Sequence, residues 1–254
     1  MVIKKLLLKT EIKEKKIPKH IAILVKGIFQ WSKDNKKTLE ESITYSQKNL
    51  LEIIYNQTSL NIPILTIYID TKYINSKKIN KKENTNLELN NTNNEELINN
   101  FSEFLSNLKN DKNIHKNKVK VSVLGKWYDL PNTLVNEIRG LIEETKDYDN
   151  YFLNFCLNYD GQEEIVDACK IISKKIEAGL IKANEINKDI IKENLYSSYF
   201  LPPDLIIISG KRAKTYGFLL WDSPNSIIYY SKEYWPNFNK EMFNKALAYY
   251  QKER

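Results

Sequence analysis

Two cysteines, two histidines, seven glycines and seven prolines among 254 residues leave several function classes without their raw material. Cys156 and Cys169 are too few for a disulfide framework or a four-thiolate zinc site, and they point to a reducing compartment. With only His20 and His115, a Ser-His-Asp relay or a His-rich metal site has few candidates. His20 opens a predicted strand, where a structural role is expected, and His115 lies in a polar stretch, where solvation is. The glycines stand singly, so Gly-x-Gly-x-x-Gly and Walker-type nucleotide fingerprints are absent. The opening run Met1-Val-Ile-Lys-Lys-Leu-Leu-Leu-Lys9 falls far short of the roughly 20 apolar residues of a membrane span and of most signal-peptide cores. The expectation is a cytoplasmic chain without an anchor or export signal.

A hydrophobic content of 42% with 28% charged residues describes a folded chain with a sizeable core. We expect a basic segment over 1–17 and one domain over 18–254, with a Lys/Asn-rich loop at about 72–94. Lys plus Arg number 39 against 32 acidic residues, and the resulting +7 is compatible with nucleic acid, anionic lipid or polyphosphate partners. It selects none of them, because the lysines are mixed with Glu, Asp and Asn as on an ordinary solvated surface.

Apolar periodicity predicts strands at His20–Val25, Ile62–Ile69, Val119–Val123, Tyr151–Leu157, Leu205–Ser209 and Ser226–Ser231. Helices are predicted over Lys37–Ile54, Glu95–Leu108, Pro131 to about Tyr148, Gln162–Ala178, Asp189–Leu195 and Lys240–Lys252. Strands alternating with helices imply an α/β domain with a mostly parallel central sheet flanked by helices. Ligands bind such sheets beyond the carboxyl ends of the strands, so the positions after Val25, Ile69, Leu124, Asn158 and Ser209 are the ones to inspect.

The acidic pairs Glu40-Glu41, Glu95-Glu96, Glu143-Glu144 and Glu163-Glu164 read as solvated helix faces, since adjacent helical residues point apart. The aromatic carboxyl-terminal third suits a core seam or a protein interface, with Leu219, Trp221, Tyr229, Tyr230 and Trp235 as candidate partner contacts. Too few basic residues interleave with these rings for a single-stranded nucleic-acid groove.

Four segments, Pro18-Lys-His-Ile-Ala-Ile-Leu-Val25, Leu157-Asn-Tyr-Asp-Gly-Gln-Glu-Glu-Ile-Val166, Pro203-Asp-Leu205 and Trp235-Pro-Asn-Phe238, together resemble the cis-prenyltransferase family of undecaprenyl and dehydrodolichyl diphosphate synthases. In that family the first strand runs into Met-Asp-Gly-Asn-Gly-Arg-Trp-Ala, whose Asp assists magnesium-dependent loss of diphosphate while the following residues cradle the allylic diphosphate. Here Lys26 stands in place of the Asp, and Ile28, Phe29 and Gln30 in place of the Asn, Gly and Arg. Leu39 and Ile43 replace an Arg and a His, Ile208 replaces a diphosphate Arg, and Ile227 replaces the Glu that completes the metal site. Putting a cation where an anion faces Mg²⁺ costs on the order of 10 kcal/mol at contact distance.

The resemblance with these replacements implies no catalytic or metal-binding residue and no cofactor. It points to the non-catalytic Nogo-B-receptor-like subunits, whose Gly-Phe-Leu-Pro-Trp is similar to Gly217-Phe-Leu-Leu-Trp221. Their amino-terminal membrane segment and terminal Arg-x-Gly are not seen here, so scaffolding is expected more than help at a partner's active site. The expected partner is an active paralogue, in a heterodimer or larger complex making long-chain polyprenyl diphosphate. A homodimer and a peripheral membrane contact stay open. One alternative is an active enzyme in which Lys26, Lys211, Arg212 and Lys214 bind diphosphate, with Mg²⁺ implied only in that case. The other is a module binding anionic lipid or nucleic acid.

Overall fold

Six parallel strands in the order β3-β4-β2-β1-β5-β6 form the centre of the protein. A computed structural model describes residues 17–71 and 91–254, giving the backbone alone for 91–94. Most of the expected basic segment 1–17, and the expected loop as far as residue 90, lie outside the described residues.

The chain enters through β1 (His20–Val25), whose six residues are all buried. Ile21, Ile23 and Val25 face one core while Ala22 and Leu24 face the other, so a strand covered on both sides reads as a continuous apolar run. Then follow α1 (Ile28–Asn35), α2 (Leu39–Ser59), β2 (Ile64–Ile69), α3 (Asn91–Lys109) and α4 (Lys112–Lys116). The remainder is β3 (Val119–Leu124), α5 (Asn132–Thr145), β4 (Tyr151–Cys156), α6 (Gly161–Glu177), α7 (Lys188–Glu193), β5 (Leu205–Ile208), β6 (Ile227–Tyr230) and α8 (Lys240–Glu253). The larger core packs α2, α3, α5 and α8 on one face of the sheet; a smaller one joins Tyr159, Phe218 and Leu219 to the other.

Local chemistry sets the boundaries. Thr38 and Glu41 form a reciprocal capping box, so α2 starts at Leu39. Pro63 has no N–H to give a ladder, and β2 starts after it, at Ile64 rather than Ile62. The helix α1 escapes the periodicity reading because Trp31 is its one buried residue and its first residue follows Gly27, which offers no side-chain cap.

Several polar residues differ from their expected settings. Glu164 is buried, accepting from the Tyr159 hydroxyl at 2.5 Å and from the Ser197 N–H at 3.1 Å, and burial raises its pKa. The Glu163-Glu164 pair is therefore not a wholly solvated face: the helix start that exposes Glu163 turns its neighbour inward. His115 sits between the Tyr148 hydroxyl and the Lys109 carbonyl, each at 2.8 Å, rather than simply in solvent.

His20 does have a structural setting. Its Nδ1 donates to the Leu201 carbonyl at 2.5 Å, leaving Nε2 to accept from the Thr66 hydroxyl at 2.8 Å, and the Asn154 amide donates to that hydroxyl at 3.1 Å. This chain suits the neutral ring, and burial lowers the pKa from 6.5 to about 4. Between those values the unfolded chain binds the extra proton. His20 therefore supports the fold fully above pH 6.5 and loses that support as pH falls toward 4, by up to ~3 kcal/mol. Urea denaturation across this window should show the decline, and His20→Gln should remove the part of the slope that lies above the ordinary carboxylate range.

Candidate functional site at the carboxyl ends of β1, β2 and β5

After β1 the chain adds β2 on one side, and later adds β5 on the other. The crevice beyond these strands is the switch point at which open α/β sheets take ligands. Lys26 occupies it. Its N–H donates to Ser209 Oγ at 2.9 Å, and its carbonyl accepts from the Trp235 N–H at 3.0 Å, so the segments after β5 and β6 both grip its backbone.

The Lys26 side chain points back over the sheet. Its Nζ donates to Asp70 Oδ2 at 2.7 Å, with the rings of Tyr216 and Tyr68 at 4.5 and 5.1 Å from the ammonium. The two ion-paired side chains are only 18% and 22% exposed, so this is a held charge rather than a waving surface lysine. Burial and the Asp70 carboxylate push the Tyr68 phenol up, which keeps that ring neutral. Gly27 follows at φ 86°, and a Cβ there would lie 2.1 Å from Cδ1 of Tyr234. Glycine is required both by the left-handed turn into α1 and by the ring against it.

Beside the ion pair lies an apolar pocket open to solvent, with about 690 Å³ of empty space when the open solvent at its mouth is included. Val25, Ile28, Phe29, Ile43, Leu50 and Phe104 are among its walls, and Asp70 also lines it. On the far side of α1, Lys211 Nζ lies 3.1 Å from Asp34 Oδ2 and 4.8 Å from the Tyr234 ring. Gln30 donates to the other Asp34 oxygen at 2.7 Å. Together Gln30 and then Lys211 hold the Asp34 carboxyl below its usual range. Arg212 and Lys214 are exposed on the same loop as Lys211.

The structure thus brings together Lys26, Ile28, Phe29 and Ile43, with Gln30 and the Lys211–Lys214 loop at the periphery. Leu39 is the first residue of α2 and does not line the pocket. Ile208 is fully buried inside β5. Ile227 is paired with Leu205 at the amino end of the sheet, whereas Lys26 follows the carboxyl end, so Ile227 is not part of the crevice at Lys26.

Two candidate partner contacts are also corrected. Trp235 and Leu219 are 1% and 2% exposed and belong to the chain's own core. Trp235 stacks on Phe238 and donates its indole N–H to the Ser46 carbonyl, so no face of it is left for a partner. Trp221 and Tyr229 are partly exposed, and Tyr230 more so. Asp70 and the tyrosine faces carry no sequence signal of their own beyond the strand rule, which marks only the place after Ile69.

A divalent ion held by the protein does not fit these residues. The carboxylate nearest the crevice is taken up by Lys26, and among the described residues no group of three or more His, Cys, Asp or Glu side chains is placed to ligate a metal.

The family model described as "Putative undecaprenyl diphosphate synthase" matches residues 25–254. The chain belongs to the cis-prenyltransferase family. Among its curated cis-prenyltransferase relatives are two archaeal proteins named tritrans,polycis-undecaprenyl-diphosphate synthase (geranylgeranyl-diphosphate specific). The one from Pyrococcus horikoshii is 28% identical over 95% of this chain and 87% of its own length. The one from Pyrococcus furiosus is 30% identical over 93% and 85%. An isoprenyl transferase of Clostridium tetani is 30% identical over 92% and 87%. The crystal structure of lavandulyl diphosphate synthase from Lavandula x intermedia in complex with dimethylallyl diphosphate has the same fold, with a TM-score of 0.81 at 23% identity, covering 93% of this chain and 96% of that one.

These relatives are named as synthases and a transferase and are matched over at least 85% of their length, which overturns the expectation of a non-catalytic subunit. The physical weakness of that expectation is visible in the crevice. It set Lys26 against a metal with nothing to offset it, whereas Asp70, just beyond the carboxyl end of the neighbouring strand β2, supplies a carboxylate. As for a membrane, no helix among the described residues is long and apolar enough to cross one.

Proposed function

We propose that this cis-prenyltransferase is an active enzyme with an altered diphosphate site, which extends an allylic diphosphate by condensation with isopentenyl diphosphate to give a long polyprenyl diphosphate. The observation that carries this reading is the juxtaposition of a caged lysine with an apolar pocket at the switch point of the sheet. An allylic diphosphate is itself a charged head on an apolar tail. The names of the archaeal relatives favour geranylgeranyl diphosphate as primer and an undecaprenyl-type product.

In this reading the pocket takes the hydrocarbon tail and shields it from water, while Lys26 faces the diphosphate. As the allylic C–O bond breaks, negative charge grows on the departing diphosphate, and a fixed ammonium beside it stabilises that charge more than it stabilises the ground state. Lys211, Arg212 and Lys214, exposed beside α1, supply further positive charge for the second diphosphate. The new carbon–carbon bond forms at the isopentenyl terminal methylene, and loss of one proton restores the double bond.

The pocket is tested by Ile43→Asp. A carboxylate among apolar walls opposes the tail by several kcal/mol, so the rate of isopentenyl incorporation should fall by ~10²-fold or more. Thr44→Asp, one residue along on the exposed face of α2, serves as the control and should keep the wild-type rate. Equal rates for both variants would contradict the assignment of the pocket.

A further inference from the structure

We propose that the Lys26–Asp70 ion pair replaces a protein-bound metal: the substrate's diphosphate takes Lys26 from Asp70, and the protein binds diphosphate without a divalent ion. The inference rests on the function proposed above and concerns how the head group is held. Its starting point is the mismatch between this crevice and a metal site.

Lys26 is built for a fixed position. Its backbone is tied on one side by Ser209 and on the other by Trp235, and its ammonium sits against two tyrosine faces at 4.5 and 5.1 Å. Aromatic faces attract an ammonium without neutralising it, so the cage holds the cation while leaving its charge for an anion. In the described structure that anion is Asp70, 2.7 Å away.

A carboxylate carries one negative charge and a diphosphate carries more, spread over several acceptor oxygens. The attraction to the ammonium grows with the charge brought into contact with it. The diphosphate therefore outcompetes Asp70 for Lys26, and Asp70 keeps the ammonium paired until substrate arrives. Lysine is a competent phosphate ligand as a point charge, so this exchange needs no change in the cage.

The test is calorimetric titration of inorganic diphosphate into the full chain, once with EDTA and once with excess Mg²⁺. Binding should be present in EDTA, within a few-fold of its strength with Mg²⁺. Lys26→Gln should weaken metal-free binding by ~10- to 100-fold, the loss of one charge-assisted hydrogen bond, and Lys26→Arg should retain most of it. Asp70→Asn removes the competitor and should tighten binding. Binding that appears only with Mg²⁺, in the unaltered chain, overturns the inference, as does wild-type affinity in Lys26→Gln. The two proposals fail separately. Mg²⁺-dependent binding with active condensation would leave the proposed function standing, whereas metal-free binding without condensation would remove the function and keep the anion site.

Discussion

Lys26→Met should lower kcat/KM for isopentenyl transfer by ~10²- to 10³-fold, the range expected when one preorganised stabiliser of a developing anion is removed. The loss should divide between KM, through the weaker hold on the diphosphate head, and kcat, through the lost stabilisation of the departing diphosphate, while binding of the tail to the separate apolar walls is kept. Stability should fall far less, by ~1–2 kcal/mol, since the ion pair keeps some solvent exposure. A steady-state assay paired with a denaturant melt separates the two effects. A variant with wild-type kcat/KM and a normal melt would show that Lys26 stands outside the chemistry.

Trp235→Ala should be the most damaging single truncation for the fold. The indole is 1% exposed, stacks on Phe238 with ring centroids 5.2 Å apart, and donates to the Ser46 carbonyl at 3.0 Å. Its loss opens a cavity between α2 and the segment before α8 and leaves a buried carbonyl short of a donor, at a cost of ~3–5 kcal/mol. For a chain of this size that is a fall in Tm of about 10 °C. Trp235→Phe keeps the stacking but loses the hydrogen bond, and should cost less than half as much. If Trp235 were instead a partner contact, its removal would change association and leave the melt nearly unchanged.

The sheet was legible where burial on both faces forces a continuous apolar run, as in β1, and where apolar and polar residues alternate at an edge, as in β3. Helix α1 was not, because a short helix with one buried residue leaves no periodic trace. The crevice was only half legible. Lys26 stood out through the resemblance, but its partner lies 44 residues away, just past the end of β2, and no local pattern announces an ion pair made between the ends of two strands. Read alone, Lys26 looked like damage to a metal site; read with Asp70 and the tyrosine faces, it is a charge with a built setting.

The aromatic carboxyl-terminal third shows the same limit. Counting rings near Trp235 could not tell a partner surface from a core, since the decision rests on which way each ring turns. Tyr230 turns outward and Trp235 turns toward Ser46. Ile227 illustrates the complementary error: a motif preserves the order of residues along the chain, yet β6 carries this position to the amino end of the sheet, away from Lys26.

The most direct measurement is isoprene incorporation by the purified chain alone, supplied with labelled isopentenyl diphosphate and geranylgeranyl diphosphate, in the presence of Mg²⁺ and again in EDTA. Formation of longer prenyl diphosphates without any second protein is the predicted result. No incorporation under either condition, from a chain shown by its melt to be folded, would contradict the account.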